Sequence, residues 1–367
     1  MIMPRPSSAW AGAAALWITA AGWAGAARRR WGRAWVVTPD AVADPDEVLE
    51  WTRSGPASPA ARAGWRSRVP TPVVTLAKDA RRARAARRFP DLPAGPWDDG
   101  VELVWQHHDL FARTGAHAAR RLGSPLVTYV HAPQVWEAAR WGTTRPGWGR
   151  IVERWGEAPQ LRAADVVACV TDEVARELPR FGVDPERIVV SPMAADADRF
   201  HPGIDAAPLR RELGIDPDDV VIGWTGSFRR FHGLDLLLDA FAGVAAEHPR
   251  ARLLLVGDGP ERSVIEQRAA ALGVGERVIT PGAAAHPDVP TRVACMDVTV
   301  VVARDGETFH YSPLKLREYL AAGRPAVVPR AGEPGREFGD ADGVSHYEPG
   351  DPESLASALV GLVADAA

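Results

Sequence analysis

The stretch DVTVVVARDGETFHYSPLKLREYLAAGRPAVVP, Asp297–Pro329, reads as one complete strand–loop–helix–strand unit. Asp297–Ala303 is a β-branched run of strand length. Ser312 suits a helix N-cap and Pro313 the first helical position, and Gly323 followed by Pro325 closes the helix. Pro325–Pro329 supplies the next strand. The first N–H groups of a helix have no intrahelical acceptor, so the amides of Leu314 and Lys315 are expected to form an anion site aided by the helix dipole. Lys315 adds a full charge, and Glu318 one turn on offers a carboxylate that can accept two hydroxyl protons, as a ribose presents them. The plain alternative is a capped helix with a surface Lys and Glu. Lys315 stands out because it and Lys78 are the only lysines among 43 basic residues.

Working outward, the C-terminal half repeats this alternation. Asp219–Thr225, Ala251–Val256, Arg277–Thr280 and Val344–Tyr347 are further strand-length runs, and Leu234, Leu237, Leu238, Phe241 and Val244 share one helix face. Strands alternating with helices imply a parallel sheet covered on both sides. The N-terminal half alternates less cleanly, with expected strands at Ala34–Thr38, Pro72–Leu76, Val101–Trp105, Pro125–Val130, Asp165–Val170 and Arg187–Ser191. Thr52–Thr71 reads as a loop insertion and Asp196–Gly214 as the linker between halves. The fold class expected is α/β: two Rossmann-like domains, with ligands beyond the carboxyl ends of their strands.

Composition narrows the functional classes. The chain has 367 residues, 46% hydrophobic and 25% charged, which fits a folded two-domain protein. A net charge of −4 gives no global attraction to nucleic acid. Cys169 and Cys295, the only cysteines, are far apart, which argues against a disulfide framework or a thiolate zinc site. The absence of Asn removes N-glycosylation sites. Trp10–Ala27 is uncharged and precedes Arg28-Arg29-Arg30, yet it is mostly Ala and Gly, so it reads as a buried first helix over a membrane anchor. No secretory leader fits, because the positive charge follows the apolar run, and a cytoplasmic location is the default. Arg81, Arg82, Arg84, Arg87 and Arg88 form a basic helical run without an apparent apolar face. It reads as solvated, with any membrane contact peripheral.

SPLKLREYLAAGRPAVVP (Ser312–Pro329) resembles the nucleotide-sugar signature of retaining glycosyltransferase family 4 (glycosyl transferases group 1), which has the GT-B fold. GWTGSFRRFHGLDLLLDAF (Gly223–Phe241) resembles its first glycine loop and helix, LLLVGDGP (Leu253–Pro260) its second strand and turn, and Ala164–Pro202 the segment closing its acceptor domain. The resemblance implies an acceptor-binding domain over residues 1–204, a donor-binding domain over 205–350, and a helix over 351–367 able to cross back to the first domain. It implies a retaining, metal-independent transfer of a sugar from a nucleotide-diphosphate sugar, the co-substrate, to a small-molecule or glycan acceptor, without a cofactor. Leu314, Lys315 and Glu318 would bind diphosphate and ribose; Gly226 and Ser227 would lie against the phosphates. A partner subunit without catalysis and a sugar-nucleotide epimerase remain the other readings.

The chain departs from the family pattern at three places. His232 stands where a lysine is usual before the second glycine, leaving His232, Arg229 or Arg230 to supply the charge. His310 stands where the first Glu of a Glu-x7-Glu pattern would be, with Glu307 three residues too early; His310 could share one hydrogen bond with a sugar hydroxyl. Met193-Ala194-Ala195 replaces a typical Asn-Gly. In the first half, His131 resembles the family histidine beside the donor sugar, against a structural capping His as the alternative. His107, His108 and Asp109 follow a strand and are assigned to the acceptor side, with a metal site the lesser reading. Asp44-Pro45-Asp46 and Asp196-Ala197-Asp198, the only DxD patterns considered, end no nucleotide-domain strand.

Overall fold

The computed structural model describes residues 1–7, 14–51, 70–306, 309–339 and 342–366. Its Cα atoms divide into two compact units, Met1–Pro192 and Met193–Ala367. The boundary expected at 204/205 falls inside the second unit, in a segment that buries Phe200. Thr52–Thr71 lies outside the described residues except at its end, as do Glu307 and the first four residues of Trp10–Ala27.

In the first unit β1 (Val36–Val37) pairs antiparallel with β2 (Val42–Ala43). A parallel sheet runs β3 (Val104–His107), β4 (Leu126–Val130), β5 (Val166–Cys169), β6 (Ile188–Val190). Ile2 joins the two by parallel bridges to Val37 and Gln106. The helix Ala14–Trp31 buries Trp17, Ala20, Ala21 and Ala24. No helix among the described residues is long and apolar enough to cross a membrane.

One expected strand is overturned. Pro72–Leu76 begins the helix Thr71–Ala86, with Pro72 in its first turn and the N–H groups of Val73 and Val74 donating to the Pro70 carbonyl. The β-branched Val73-Val74-Thr75 run suggested a strand, but Pro fits an opening helical turn and the Ala/Arg run that follows is helix-forming. The basic run Arg81–Arg88 therefore does have apolar companions on its helix, at Val73 and Leu76.

In the second unit six parallel strands, β7 (Val220–Thr225), β8 (Ala251–Val256), β9 (Val278–Gly282), β10 (Val298–Val300), β11 (Ala326–Pro329) and β12 (Val344–Tyr347), match the expected positions. Their order is β12-β11-β10-β7-β8-β9. The chain leaves β7 in one direction and resumes from β10 in the other, so the topological switch point lies between these strands, where α/β sheets bind ligands. The expected apolar face of Leu234–Glu247 is buried at all five positions. The terminal helix Pro352–Ala366 buries Leu355, Leu359 and Val363 in the same core. The expected linker contains the helix Ala207–Glu212, whose Leu209 packs on the second unit's other cluster.

Candidate nucleotide-binding site

At the carboxyl end of β7 the chain passes Trp224 and Thr225 to Gly226, whose φ of 148° favours glycine. Gly226 N–H donates to the Val256 carbonyl at the end of β8. Gly257, at φ 155°, follows there, and a Cβ on it would fall 1.8 Å from the Gly226 carbonyl oxygen. The two strand ends approach closely only because neither residue carries a side chain. A third constraint is Gly259, where a Cβ would meet the Phe228 carbonyl oxygen at 2.4 Å.

The helix Leu314–Ala321, which follows β10, aims its first turn at this loop. Lys315 Nζ lies 3.8 Å from the centroid of the buried Trp224 ring, and a Cβ on Gly226 would be 3.0 Å from the same nitrogen. One turn on, the Tyr319 hydroxyl accepts from Thr225 N–H at 2.8 Å and shares a 3.1 Å bond with Thr225 Oγ1. Lys315 and Tyr319 thus grip the end of β7 from one helix face. The capping expectation needs correction. Pro313, not Ser312, occupies the N-cap, and Ser312 Oγ accepts from Met193 N–H at 3.2 Å instead of from a helix amide. Gly323 ends the helix as expected, at φ 69°.

Electrostatics follow from this packing. Burial lowers the Lys315 amine to about 7, with Glu318 pulling weakly the other way. His232, whose ring lies 5.4 Å from that of Trp224, is pushed down to about 2 by burial, then by Lys315 and Arg229. It is a neutral imidazole at physiological pH. Arg229 and Arg230 have exposed side chains. The Arg230 carbonyl accepts from Arg304 Nε at 2.7 Å, and Arg304 also pairs with Asp235, which holds the loop's shape. Glu318 is buried and shares a 2.8 Å bond with His286 Nε2. His310 is buried beside Tyr311, their ring centroids 6.0 Å apart. Ser227 sits in the same loop, its carbonyl accepting from Arg229 N–H.

In the first unit His107, His108 and Asp109 are buried at the carboxyl end of β3, and the rings of His107 and His131 lie 5.1 Å apart. Burial lowers His107 and His108 to about 4 and His131 to about 3, so all three are neutral. Asp109 is engaged by the guanidinium of Arg5, by Gln134 Nε2 at 2.9 Å and by Leu110 N–H at 2.7 Å. No three His, Cys, Asp or Glu side chains converge as a metal site among the described residues. Of the DxD patterns, Asp44 caps the helix Pro45–Glu50 and Asp196 accepts from Asp198 N–H.

Sequence reasoning missed Trp224, Tyr319 and His286. Trp224 is the lone tryptophan after residue 160, and Tyr319 sits four residues after Lys315. Those are weak signals for the first two. His286 offered none.

Two Rossmann-like units, the second carrying a glycine loop and a helix N-terminus at its switch point, make the GT-B architecture. Residues 23–199 match Glycosyltransferase Family 4, and residues 219–365 match Glycosyl transferases group 1. The chain belongs to this family of glycosyltransferases. A D-inositol 3-phosphate glycosyltransferase of Geodermatophilus obscurus is 32% identical over 282 residues, covering 72% of this chain and 59% of that protein. The corresponding protein of Acidothermus cellulolyticus is 34% identical over 247 residues, covering 63% and 52%. The chain thus spans little more than half the length of these relatives. In fold it is similar to Anabaena HepE crystallised with UDP-glucose, with a TM-score of 0.62 at 20% identity over 99% of this chain and 89% of that one. A Rickettsia africae glycosyltransferase gives 0.61 at 12% identity, over 99% and 88%.

Proposed function

We propose that the protein transfers a sugar from a nucleotide-diphosphate sugar to an acceptor hydroxyl, with retention of configuration and without a metal. The observation that carries this reading is Lys315, held between the Trp224 ring and the Gly226 loop at the start of Leu314–Ala321. Departure of a nucleoside diphosphate builds charge on its phosphate oxygens, and fixed positive potential there lowers the barrier. The amides of Leu314 and Lys315, the Lys315 amine and the exposed Arg229 are the proposed donors; Gly226 and Ser227 admit the phosphates. Neutral His232 then acts as a hydrogen-bonding and packing group, and Arg229 supplies the loop's charge with Arg230 beside it.

Glu318 is proposed to take the ribose hydroxyls, oriented by His286. His310 is proposed for one sugar hydroxyl, His131 for the family histidine's role beside the donor sugar, and His107, His108 and Asp109 for the acceptor side. No side chain is assigned as nucleophile, in keeping with a front-face departure in which the leaving phosphate receives the acceptor proton. A cytoplasmic location belongs to the same reading, supported by two buried free thiols.

The test is a thermal-shift panel of nucleoside diphosphates, because a ligand of the folded state alone raises the melting temperature. UDP is the first to try, since HepE was crystallised with UDP and UDP-glucose. Incubation of the matching sugar nucleotide with and without acceptors then separates transfer from epimerisation. Binding without turnover on any acceptor would favour a non-catalytic role. No shift with any nucleotide would end the proposal.

A further inference from the structure

Three irregular features of the first unit converge on the loop that follows β3. Phe111, at φ 68°, is the one non-glycine residue with a left-handed backbone among the described residues. Glu153–Glu157 is a single π-helical turn set between the α-helical segments Gly149–Val152 and Ala158–Ala163. The third is a buried pair of side-chain amides, in which Gln106 Nε2 donates to Gln160 Oε1 at 3.2 Å. Strained backbone and π-turns are costly, and both gather at functional sites.

The contacts show what the irregularity achieves. Gln160 Oε1 accepts from Asp109 N–H at 3.4 Å, while Gln160 Nε2 donates to the Asp109 carbonyl. One side chain therefore holds both backbone groups of Asp109, as a paired strand would. The Gly156 carbonyl, in the π-turn, accepts from Phe111 N–H at 2.7 Å and from Gln160 Nε2 at 3.0 Å. A Cβ on Gly156 would lie 3.1 Å from the Phe111 ring, so glycine lets the turn approach. The next residue, Glu157, accepts from Val135 N–H at the start of the helix Gln134–Arg140, which follows His131. Gln134 closes the circuit by donating to the Asp109 carboxylate at 2.9 Å. The loops after β3 and β4 are thus fastened to one stretch of helix. They carry the buried Nε2 atoms of His108 and His131, neither of which has a partner among the described residues.

We infer that Gln160 is a positioning residue for the proposed reaction, one that holds the loops of His108, Asp109 and His131 in register. The inference rests on the proposed sugar transfer. Three of the four hydrogen-bonding positions of the Gln160 amide are spent on Gln106 and Asp109, 54 and 51 residues away. An apolar residue of similar size would fill the space and leave the buried Asp109 backbone unpaired.

The experiment measures hydrolysis of UDP-glucose, with water as the acceptor, by the full chain and by Gln160→Met and Gln160→Glu. Melting temperature is the folding control. Gln160→Met is expected to lower kcat about tenfold or more with KM changed less than about twofold, because misplacement costs rate while the proposed donor-binding groups lie in the second unit. A protonated carboxyl at this position can accept from Asp109 N–H and donate to its carbonyl, whereas an ionised one can only accept. Gln160→Glu should therefore match the parent while its carboxyl is protonated and fall toward the Gln160→Met rate as it ionises. Space-filling alone produces no such switch, and the switch decides even if Gln160→Met does not fold. A lower melting temperature with unchanged kcat would overturn the inference. So would a Gln160→Glu rate that stays at the Gln160→Met level at every pH. Should the parent not turn over UDP-glucose, that result tells against the transfer reading, and imidazole NMR tests the positioning by itself. His108, lowered to about 4 in the parent, should then titrate closer to its ordinary 6.5 in Gln160→Met, and an unchanged midpoint would overturn the inference.

Discussion

Lys315 and Trp224 are in contact at the carboxyl end of β7, with the amine 3.8 Å from the indole centroid. The ring faces the cation with its electron-rich surface, and both sit where β7 ends. The contact keeps a lysine partly dehydrated beside an open loop. It also makes the amine's charge sensitive to what enters that loop.

Replacement of that amine should be felt in turnover. Lys315→Ala is expected to lower the rate at saturating donor by about 10²–10³, the scale seen when one stabilising donor is removed from a developing oxyanion. Single-turnover kinetics with bound donor provide the measurement. A loss below about threefold would remove Lys315 from the proposed chemistry, being far under that range.

Donor binding should also take up a proton. In the ligand-free protein the Lys315 amine titrates near 7, whereas a bound diphosphate favours its charged form. Affinity for a nucleoside diphosphate is therefore full below about 7 and falls as pH rises above it. Calorimetric heats in buffers of different protonation enthalpy should reveal uptake near neutral pH. Lys315→Met should abolish that dependence; its persistence would point to another group.

His286 and Glu318 make a pair whose separation should be measurable. His286→Ala is expected to weaken nucleotide binding about fivefold, the worth of one ordinary hydrogen bond, with little change in rate at saturation. Glu318→Ala should weaken binding further, because it removes the ribose acceptor itself. His286→Gln, which can still donate, should recover part of the affinity. Equal affinity in all variants, by calorimetry, would mean that the ribose lies elsewhere.

Gly257 tests the loop's construction. An alanine there would combine φ 155° with a Cβ 1.8 Å from the Gly226 oxygen, so both backbone and neighbour must move. Gly257→Ala should lose about 1–3 kcal/mol from backbone strain alone, with more from the displaced Gly226 loop. Denaturant unfolding measures the first and nucleotide affinity the second. Unchanged affinity would show that the loop's position is not needed for binding.

Glu157 predicts a pH effect on stability in the first unit. It is fully buried, accepts from Val135 N–H at 3.0 Å, and is pushed by burial from 4.5 up to about 8. Between those values the unfolded chain releases a proton that the folded chain retains, so this group's contribution falls as pH rises through the window and levels off above it. Glu157→Gln should remove that slope and stabilise the chain by on the order of 2 kcal/mol near pH 8. Melting curves across pH would decide, and an unaltered slope would mean that the carboxyl ionises inside the fold.

Much of the second unit was legible because its signals are local. Strands such as Ala251–Val256 are buried on both faces and read as continuous apolar runs, and the helix carrying Lys315 is bracketed by Pro and Gly, whose backbone limits act within a few residues. The first unit was less legible for the converse reason. Pro72–Leu76 is expected as a strand from its β-branched run, yet it opens a helix that Pro72 and the Ala/Arg run favour and that Asp79 anchors by reaching Arg145, 66 residues away. Ser312 failed as a cap through a similar long-range cause, since its hydroxyl is engaged by the amide of Met193.

The sequence by itself therefore determined the alternation of strands and helices, the parallel sheet of the second unit, and the identity of the helix that opens near Lys315. Periodicity, turn residues and scarce lysines all act at short range along the chain. Only the tertiary structure decided that Lys315 rests on Trp224, that His286 holds Glu318, that His232 is kept neutral, and that Gln160 holds the backbone of Asp109. Each of these depends on burial and on partners distant in sequence, which no local pattern encodes.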